Sequence, residues 1–544
     1  MTDGLSRTYA RSLSGAYDCL DRIVLNAYCR FAQNPGGFRV WWRQLTGDQT
    51  KLDNAHLSRM SGRFHRRLRS WAMANRVPVR RCRPGEHKHE VAGQYLAKAD
   101  VQEGLFLILV GRAQAPVFEV LNSGHIQRKQ PYPYVNHFSF HILDREWGHI
   151  TIKISGHPPF PAQIILNGHE YVQRQATKAN IHLVKEGNCF TRIGDPDATA
   201  ALTETLSGEG AIESLTAACD RWIYNTCLCF ALNDAERRRS RFRYEYSIYQ
   251  LEYSRNLLFK KGSEMGKVVE ALVDRNRSRL DVKRLTTILG RKNRPHHRKR
   301  KTKDWQVTVE RSSYDLTIFK VYCGKVALKI YTKGERVLRA EAMASDAREL
   351  RCGRDIGQFA KAVAKLREIL ERFLEALSCM DECFVSGEVL DNLSLPSQVG
   401  AMRVGGIDMN CPRMRRVGRA LLALSAQPFG FTCAQLAAHV QGQNSNGKPR
   451  YGPRQAAYDL QKFRGKRFAD YFAASRRRYR VLPDGLKALS ALLLLRDQVL
   501  EPLLLSTRSA VPLRVDAGIT PLDLLYVQLR GSMREVLGHL GFAA

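Results

Sequence analysis

Apolar and polar positions change period several times along this chain, and those changes divide it into segments. Residues 1–85 read as helical and basic, whereas residues 100–175 break into short strands. Among these, GLFLILVG (104–111) and VFEVL (117–121) are apolar runs, and HFSFHILDREWGHITIKIS (137–155) alternates in both arms, the signature of a half-buried hairpin. PAQIILNGHEY (161–171) predicts a further strand closed by Asn167-Gly168, a turn signal. From about 197 to 290 the pattern returns to helix, with an amphipathic stretch at Arg241–Lys260. Residues Trp305–Ser345 turn to β again, as WQVTVE, LTIFKVYC, KVALKIY and VLRAEAM. A helix over Ile356–Met380 follows, with Phe359, Val363, Leu366, Leu370, Phe373 and Leu377 on one stripe, the pattern of a core-facing helix. Pro396, Gly405-Gly406 and Pro412 mark residues 385–414 as a linker.

The last segment, 415–544, predicts a winged helix-turn-helix. Thr432 caps a short helix (Cys433–Val440), and Pro453 sits in the first turn of a second, Arg454–Lys466, whose Ala457, Leu460 and Phe463 share an apolar face. FADYFAASRRRYRVLP then supplies two short strands, and the long apolar helix Asp484–Leu505 follows, with the character of a homodimer contact. A helix lying in the major groove beside a basic hairpin on the backbone is the docking geometry such a domain implies. Arg454, Gln455, Lys462, Arg464, Arg476, Arg477 and Arg478 are the candidate DNA contacts. The whole is an α+β chain: a basic helical N-terminal segment (1–99), a mixed α/β body with antiparallel hairpins (100–384), the linker, and the winged helix.

Charge narrows the function. The 544 residues carry 86 Lys+Arg against 52 Asp+Glu, a formal +34, and such a surface repels itself unless an anion neutralises it. Nucleic-acid backbones do so. The densest runs are Arg59–Arg69, Arg76–Arg83 and residues 291–303 (RKNRPHHRKRKTK), where Arg291, Lys292, Arg294, Arg298, Lys299, Arg300 and Lys301 form a candidate clamp. A membrane surface is a poorer partner, because the longest apolar runs fall far short of the ~20 residues a span needs. The first residues also lack the apolar core of a signal peptide. Thirteen cysteines without a C-x-x-C pair suit reduced thiols in a cytoplasm, here in a nucleoid-associated protein.

Candidate chemistry gathers in two hairpins. Seven of the fifteen histidines lie between His125 and His182, and the 137–155 hairpin places His137, Ser139 and His141 on the same side as His149, Thr151 and Lys153. His141 then stands opposite His149 or Thr151, according to register, close enough to share a metal ion or a phosphate. With Asp144 in the turn, His137, His141 and His149 form a candidate site for a divalent metal, Mg or Mn. In the second hairpin, 325–343, Lys329 and Tyr331 share a face with Arg339 and Glu341. A nucleophile could come from RFRYEYSIYQLEYSRNLLF (241–259), where helical spacing aligns Tyr246, Tyr249 and Tyr253; Tyr249 and Tyr253 are the candidates, with Glu341 as the catalytic carboxylate. No G-x-x-x-x-G-K-[ST] loop and no H-E-x-x-H occurs, which disfavours NTP-driven and zincin-type chemistry.

The run Ile330, Tyr331, Lys333 … Arg339, Glu341 resembles a hairpin of phage and plasmid rolling-circle replication initiators, in which the corresponding Glu holds a divalent metal near a tyrosine nucleophile. The H-hydrophobic-H motif of the wider replication superfamily is absent, since HFSFH spaces its histidines four apart. The chain as a whole, especially residues 134–175, resembles a group of uncharacterised basic bacterial proteins ending in a winged helix similar to the MarR type. Together these imply a metal-dependent DNA- or RNA-processing enzyme of mobile-element type, acting on DNA, with a structured RNA as the further candidate partner. The competing expectations are a non-enzymatic winged-helix regulator and an RNA-binding scaffold.

Overall fold

The computed structural model describes residues 4–47, 51–83, 85–98, 101–269, 317–381, 386–442, 451–472 and 475–500, with isolated residues between 524 and 535. The basic run 291–303 and the expected strand at 305–310 lie outside the described residues. The chain is α+β and divides into two compact units, one from residues 9–267 with 317–371, the other from 372 onward with the helix Gly4–Thr8.

The first unit is built on a ten-stranded sheet. Its strands in chain order are β1 (Leu13–Tyr28), β2 (Val79–Arg81), β3 (Gly104–Gln114), β4 (Tyr134–Asp144), β5 (Gly148–Ser155) and β6 (Ala162–Asn167). A separate ribbon, β7 (Leu183–Glu186) with β8 (Cys189–Ile193), precedes the remaining sheet strands: β9 (Glu245–Phe259), β10 (Thr317–Cys323), β11 (Val326–Lys333) and β12 (Val337–Ala344). The order across the sheet is β10-β11-β12-β9-β1-β6-β5-β4-β3-β2, antiparallel except between β2 and β3.

Two expectations fail here for one physical reason. Residues 13–28 and 241–260 read as helix, yet both fold as long central strands, with β1 paired to β9 over Leu13–Tyr28. Strands covered on both faces lose the alternation that betrays a half-exposed strand, so their apolar residues run on and mimic a helical stripe. The Tyr, Ile, Val and Leu content of YEYSIYQLEY and of DRIVLNAY nonetheless suits a pleated surface. The expected boundary near residue 99 is likewise no unit boundary, because helices α1 (Pro35–Thr46), α2 (Asn54–Ala74) and α3 (Lys88–Leu96) belong to the same unit as the sheet.

The half-exposed hairpins fold as their period predicts. In β4–β5, Phe138, Phe140 and Ile142 face the core with Ile150, Ile152 and Ile154. Phe64 of α2 packs on Phe138 (ring centroids 5.0 Å apart), and Phe230 stacks on Phe140 (6.0 Å). The opposite face carries the polar residues. Asn167-Gly168 is not a hairpin turn. Asn167 caps helix α4 (Gly168–Lys178) through His169 N, and a Cβ on Gly168 would lie 1.8 Å from the carbonyl oxygen of Leu20. Only glycine lets α4 press onto β1 there.

Helix α7 (Phe359–Asp381) belongs to the first unit as far as Glu371, and its six-residue stripe is buried as expected; the second unit continues from Arg372. Residues 386–411 hold a helix (Gly387–Leu393) and a short ribbon rather than a plain linker. Then come α8 (Pro412–Leu424), α9 (Cys433–Gly442), α10 (Pro453–Gly465), the hairpin β13 (Ala469–Phe472) and β14 (Ser475–Val481), and α11 (Pro483–Leu494). Thr432 and Gln435 cap α9 reciprocally. On α10 the core face is Ala456, Leu460 and Phe463 with the buried Asp459; Ala457 is only half-buried. Leu486, Leu489 and Leu493 of α11 are buried, the last two against Gly418 of α8, so the apolar character of this helix already has an intrachain use. No described helix is long and apolar enough to cross a membrane.

The sheet is pinned by an ion pair with no exposure to water. Asp21 of β1 meets Arg339 of β12, and both are buried. Removing one partner of such a pair strands the other charge, at a cost of about 3–5 kcal/mol. Arg339→Met and Asp21→Asn are each expected to lose stability on that scale in urea unfolding. The double variant Asp21→Leu/Arg339→Met is expected to lose less than either. A loss below about 1 kcal/mol in both single variants would contradict this account of the pair.

Candidate functional site

The register of β1 against β9 slips between Leu20 and Arg22, so Asp21 has no partner strand residue. Such a bulge re-aims a side chain. Here it turns Asp21 inward, where its carboxylate takes Arg339, His169 Nδ1 (3.1 Å) and the Ser254 hydroxyl (3.0 Å). Arg339 also donates to the carbonyl of Asn188 (2.6 Å), and His169 Nε2 lies 3.3 Å from the Tyr17 hydroxyl. Burial alone would raise the Asp21 carboxyl, but Arg339 and His169 hold it below its ordinary value. Cys19, Asp21 and His169 also bring three ligand atoms within 4.8 Å of one another, a set that could hold a metal ion. The cation that meets Asp21 in this structure is the guanidinium of Arg339, and burial pushes the Cys19 thiol up.

Asp21 also lines a trough of about 600 Å³ on the polar face of the sheet. Its floor crosses β4, β5, β6, β1 and β9, four inter-strand steps of ~4.8 Å, or roughly 19 Å. Helix α3, Glu170 of α4 and the β7–β8 turn form its walls. Arg22, Lys88 and Lys153 project into it, and none has a carboxylate within ion-pair distance among the described residues. Lys88 has only the Ser139 hydroxyl, at 3.3 Å. Burial, and then Lys88 and Arg22, push Lys153 below its ordinary value, the response of one cation to others that lack a counterion. Glu170 does not supply one, because Lys185 holds it at 2.5 Å.

At one end of the trough stand His141 and His149. The observed register sets His141 opposite Thr151, and His149 reaches it diagonally, Nε2 to Nδ1, at 3.0 Å. Burial and mutual repulsion lower His141 to about 3; burial, then His89, lower His149 to about 4. Both imidazoles are therefore neutral at physiological pH, and the Nε2 of His141 is buried without a hydrogen-bond partner. At the other end lies Glu252, raised to about 7 by burial and by the nearby Glu341. A carboxyl that is half protonated near neutrality can both give and take a proton. Sequence reasoning passed over Arg22 and Lys88 and gave Lys153 and Glu252 no role of their own, because the partners that make them notable come from distant strands and α3.

The candidates named from sequence meet mixed ends. His141 and His149 come together, but His137 stands farther along β4, near Lys88, His157 and Lys153, with burial lowering it. Asp144 faces the other way: its oxygens accept from the backbone of Glu146 and Trp147 and from the side chains of Arg221 and Trp222, so none is left for a metal. The 325–343 hairpin forms as expected. Glu341 takes Lys329 Nζ and the Tyr331 hydroxyl, both at 2.7 Å, and is thereby occupied. Burial works against the Lys329 charge, but Glu341 raises it overall. Tyr253 shares its face with Ala342, opposite to Glu341, and is buried between Asp18 (3.0 Å) and Arg367 (2.7 Å); burial, then Asp18, push its hydroxyl up. Tyr249 is exposed at a second irregularity of the β1–β9 register. Neither tyrosine lines the trough: Tyr253 is on the face opposite to Glu341, and Tyr249 stands unpaired at the irregularity.

In the second unit Arg454 and Arg477 are exposed, and Lys462 lies over the Tyr458 ring at 5.3 Å. Gln455 is used in capping its own helix. Arg464 stacks on Tyr471 at 4.0 Å, and Arg478 donates to the carbonyls of Phe429 and Gly430, so both brace the hairpin. Arg476 is on β14, but its side chain lies outside the described residues.

These environments set opposing pH dependences. Unfolding returns Glu252 to its ordinary 4.5, so stability falls as pH rises from 4.5 to about 7, by up to ~1.4 kcal/mol per pH unit. His141 and His149 stay neutral when folded and protonate near 6.5 when unfolded, so stability falls as pH drops from 6.5 towards 4. Thermal unfolding from pH 4 to 8 is expected to show Glu252→Gln gaining on the wild type between pH 4.5 and about 7 and holding that gain above, and His141→Asn with a shallower acid limb. Parallel profiles for all three proteins would contradict these environments. No family model matches the chain, and neither a curated protein nor a solved structure does.

Proposed function

We propose that this chain is a nucleic-acid-binding protein whose trough holds a phosphodiester strand for metal-dependent cleavage, nicking or strand transfer. One observation carries the reading: Arg22, Lys88 and Lys153 converge without carboxylate partners in a trough that also holds a carboxyl titrating near neutrality. A groove five strands across suits a chain of phosphates better than a compact ligand. The three cations bear the phosphate charge, and Glu252 moves the proton of the attacking or departing oxygen. His141 and His149 would hold the metal. Two neutral imidazoles suit manganese or zinc more than magnesium, which prefers oxygen. On the strand spacing such an ion would stand roughly 14–19 Å from Glu252, so it would supply Lewis acidity at a different phosphate of the bound strand from the one that Glu252 serves.

The second unit fits this reading as a winged helix that places the protein on duplex DNA. The order α8–α9–α10–hairpin–α11 is the one expected of that domain, with Arg454, Lys462 and Arg477 as its outward contacts. The resemblance to rolling-circle initiators supports the same class of chemistry but a different carboxylate, since Glu252 and not Glu341 faces the trough. A homodimer through the C-terminal helix and a structured RNA partner remain compatible extensions. The non-enzymatic reading, a regulator or scaffold, draws on the fact that neither candidate tyrosine faces the trough.

The test uses the full chain with labelled single- and double-stranded oligonucleotides, with and without Mn²⁺. Lys153→Ala and Arg22→Ala are each expected to weaken single-strand binding and to reduce the slope of log K against log salt by about 0.7. Glu252→Gln is expected to retain binding while losing at least tenfold in cleavage rate. Salt-sensitive binding without cleavage under any metal would move the protein to the regulator or scaffold class. Binding indifferent to Lys153 and Arg22 would remove the trough from the reading altogether.

A further inference from the structure

A second cleft, of about 400 Å³, lies in the first unit and shares no lining residue with the trough. Four arginines line it, Arg237, Arg238, Arg241 and Arg243, together with Tyr224 and Asp220. They come from helix α6 (Asp234–Arg239) and the turn into β9; Tyr224 and Asp220 come from α5 (Gly210–Trp222) and the turn after it. We propose that this cleft is an anchor for the phosphodiester backbone of a nucleic-acid strand. The proposal rests on the chain binding nucleic acid, but on none of the residues of the trough.

The cleft is built rather than merely crowded. Asn233 and Glu236 cap α6 reciprocally, and Arg63 and Arg67 of α2 meet Glu236, so that carboxylate is already spent. Asp220, the acid in the cleft wall, accepts from the Tyr246 hydroxyl at 2.5 Å. Arg237 is held over the Tyr224 ring at 4.9 Å and near Asp234 at 3.3 Å. Phe242 and Tyr244 are buried, their rings 5.1 Å apart, and this turns Arg241 and Arg243 between them outward. Arg241 adopts a left-handed backbone (φ 51°), a cost that persists only where the surroundings impose it. Neither Arg241 nor Arg243 has an ion-pair partner among the described residues.

Guanidinium forks match phosphate oxygens two at a time, which ammonium groups do not. The basic surface also continues past the cleft through the exposed Arg239 of α6, while α2, tied to α6 at Glu236, carries the exposed Arg59, Arg66 and Arg69. One inorganic phosphate would leave that extension unmatched; a strand with repeated phosphates would not. This gives the dense arginine run of residues 59–69 a use that the trough does not.

The test is the salt dependence of binding of a labelled single-stranded oligonucleotide to the full chain. The triple variant Arg238→Ala/Arg241→Gly/Arg243→Ala removes three exposed side chains, and glycine accepts the left-handed backbone at 241 without strain. Its thermal unfolding is expected to match the wild type. Its slope of log K against log salt is expected to fall by about 2, with affinity falling at every salt concentration. Lys153→Ala, measured in parallel, separates the two sites. A weakened triple variant beside an unaffected Lys153→Ala upholds the cleft and overturns the trough; the reverse pattern overturns the cleft. Absence of oligonucleotide binding by the wild type overturns both. Loss of binding to phosphatidylserine vesicles in the triple variant, with oligonucleotide binding intact, would assign the arginines to a membrane surface and overturn the proposal.

Discussion

The fold of the first unit turns on a buried charge. Arg339 reaches across β9 to meet Asp21, and neither side chain sees water. An isolated charge at that depth would cost several kcal/mol, so the two strands that carry these residues are held to a single register. The bulge at Asp21 is what makes the contact geometrically accessible, since a regular strand would give that residue a partner on β9 in place of Arg339 and His169. Gly168 completes the arrangement: with no Cβ, it lets α4 settle on the Leu20 carbonyl and brings His169 to the carboxylate. A local departure from strand geometry, a glycine and an ion pair thus form one device.

That device borders the trough and decides its electrostatics. Because Arg339 and His169 already neutralise Asp21, its carboxylate is not available to pair with Arg22 or Lys153 at the trough floor. Because Lys329 and Tyr331 occupy Glu341, that residue acts on Glu252 only through its charge, and burial and this repulsion carry Glu252 towards neutrality. The result is a groove in which Arg22, Lys88 and Lys153 lack counterions among the described residues and in which Glu252, accepting from Gln250 at 2.5 Å, sits at the threshold of ionisation. Groups tuned in this way are commoner at functional sites than elsewhere.

Legibility in the sequence followed exposure. The hairpins at 137–155 and 325–343 were readable because one face of each is polar, so the period-two alternation survives and shows which side chains share a side. The shared faces of Lys329 with Glu341 and of His141 with Thr151 follow from that alternation, while the choice between His149 and Thr151 as the partner of His141 was made by the folded register. The α9–α11 segment was readable because its caps are local: Thr432 with Gln435, and Pro453 in a first turn. Strands β1 and β9 were not readable, since cover on both faces erases the period. The misreading of β9 as helix aligned Tyr249 with Tyr253 on a stripe that the strand does not form. Asp144 misled differently; a carboxylate in a turn looks available until Arg221 and Trp222, far along the chain, are seen to use it.

The sequence by itself determined what short-range chemistry determines: the periods of the half-exposed hairpins, the caps of the helices near the C-terminus, the large positive charge, and the density of histidine between residues 125 and 182. Tertiary structure alone decided which carboxylates are free and which are spent, because that depends on neighbours tens to hundreds of residues away. Asp21 meets Arg339 across 318 positions, and no local pattern encodes the encounter. Glu252 is an ordinary glutamate in the chain and a near-neutral acid in the fold, for the same reason. Burial and charge are properties of the assembled sheet, and they turn residue types into functional groups.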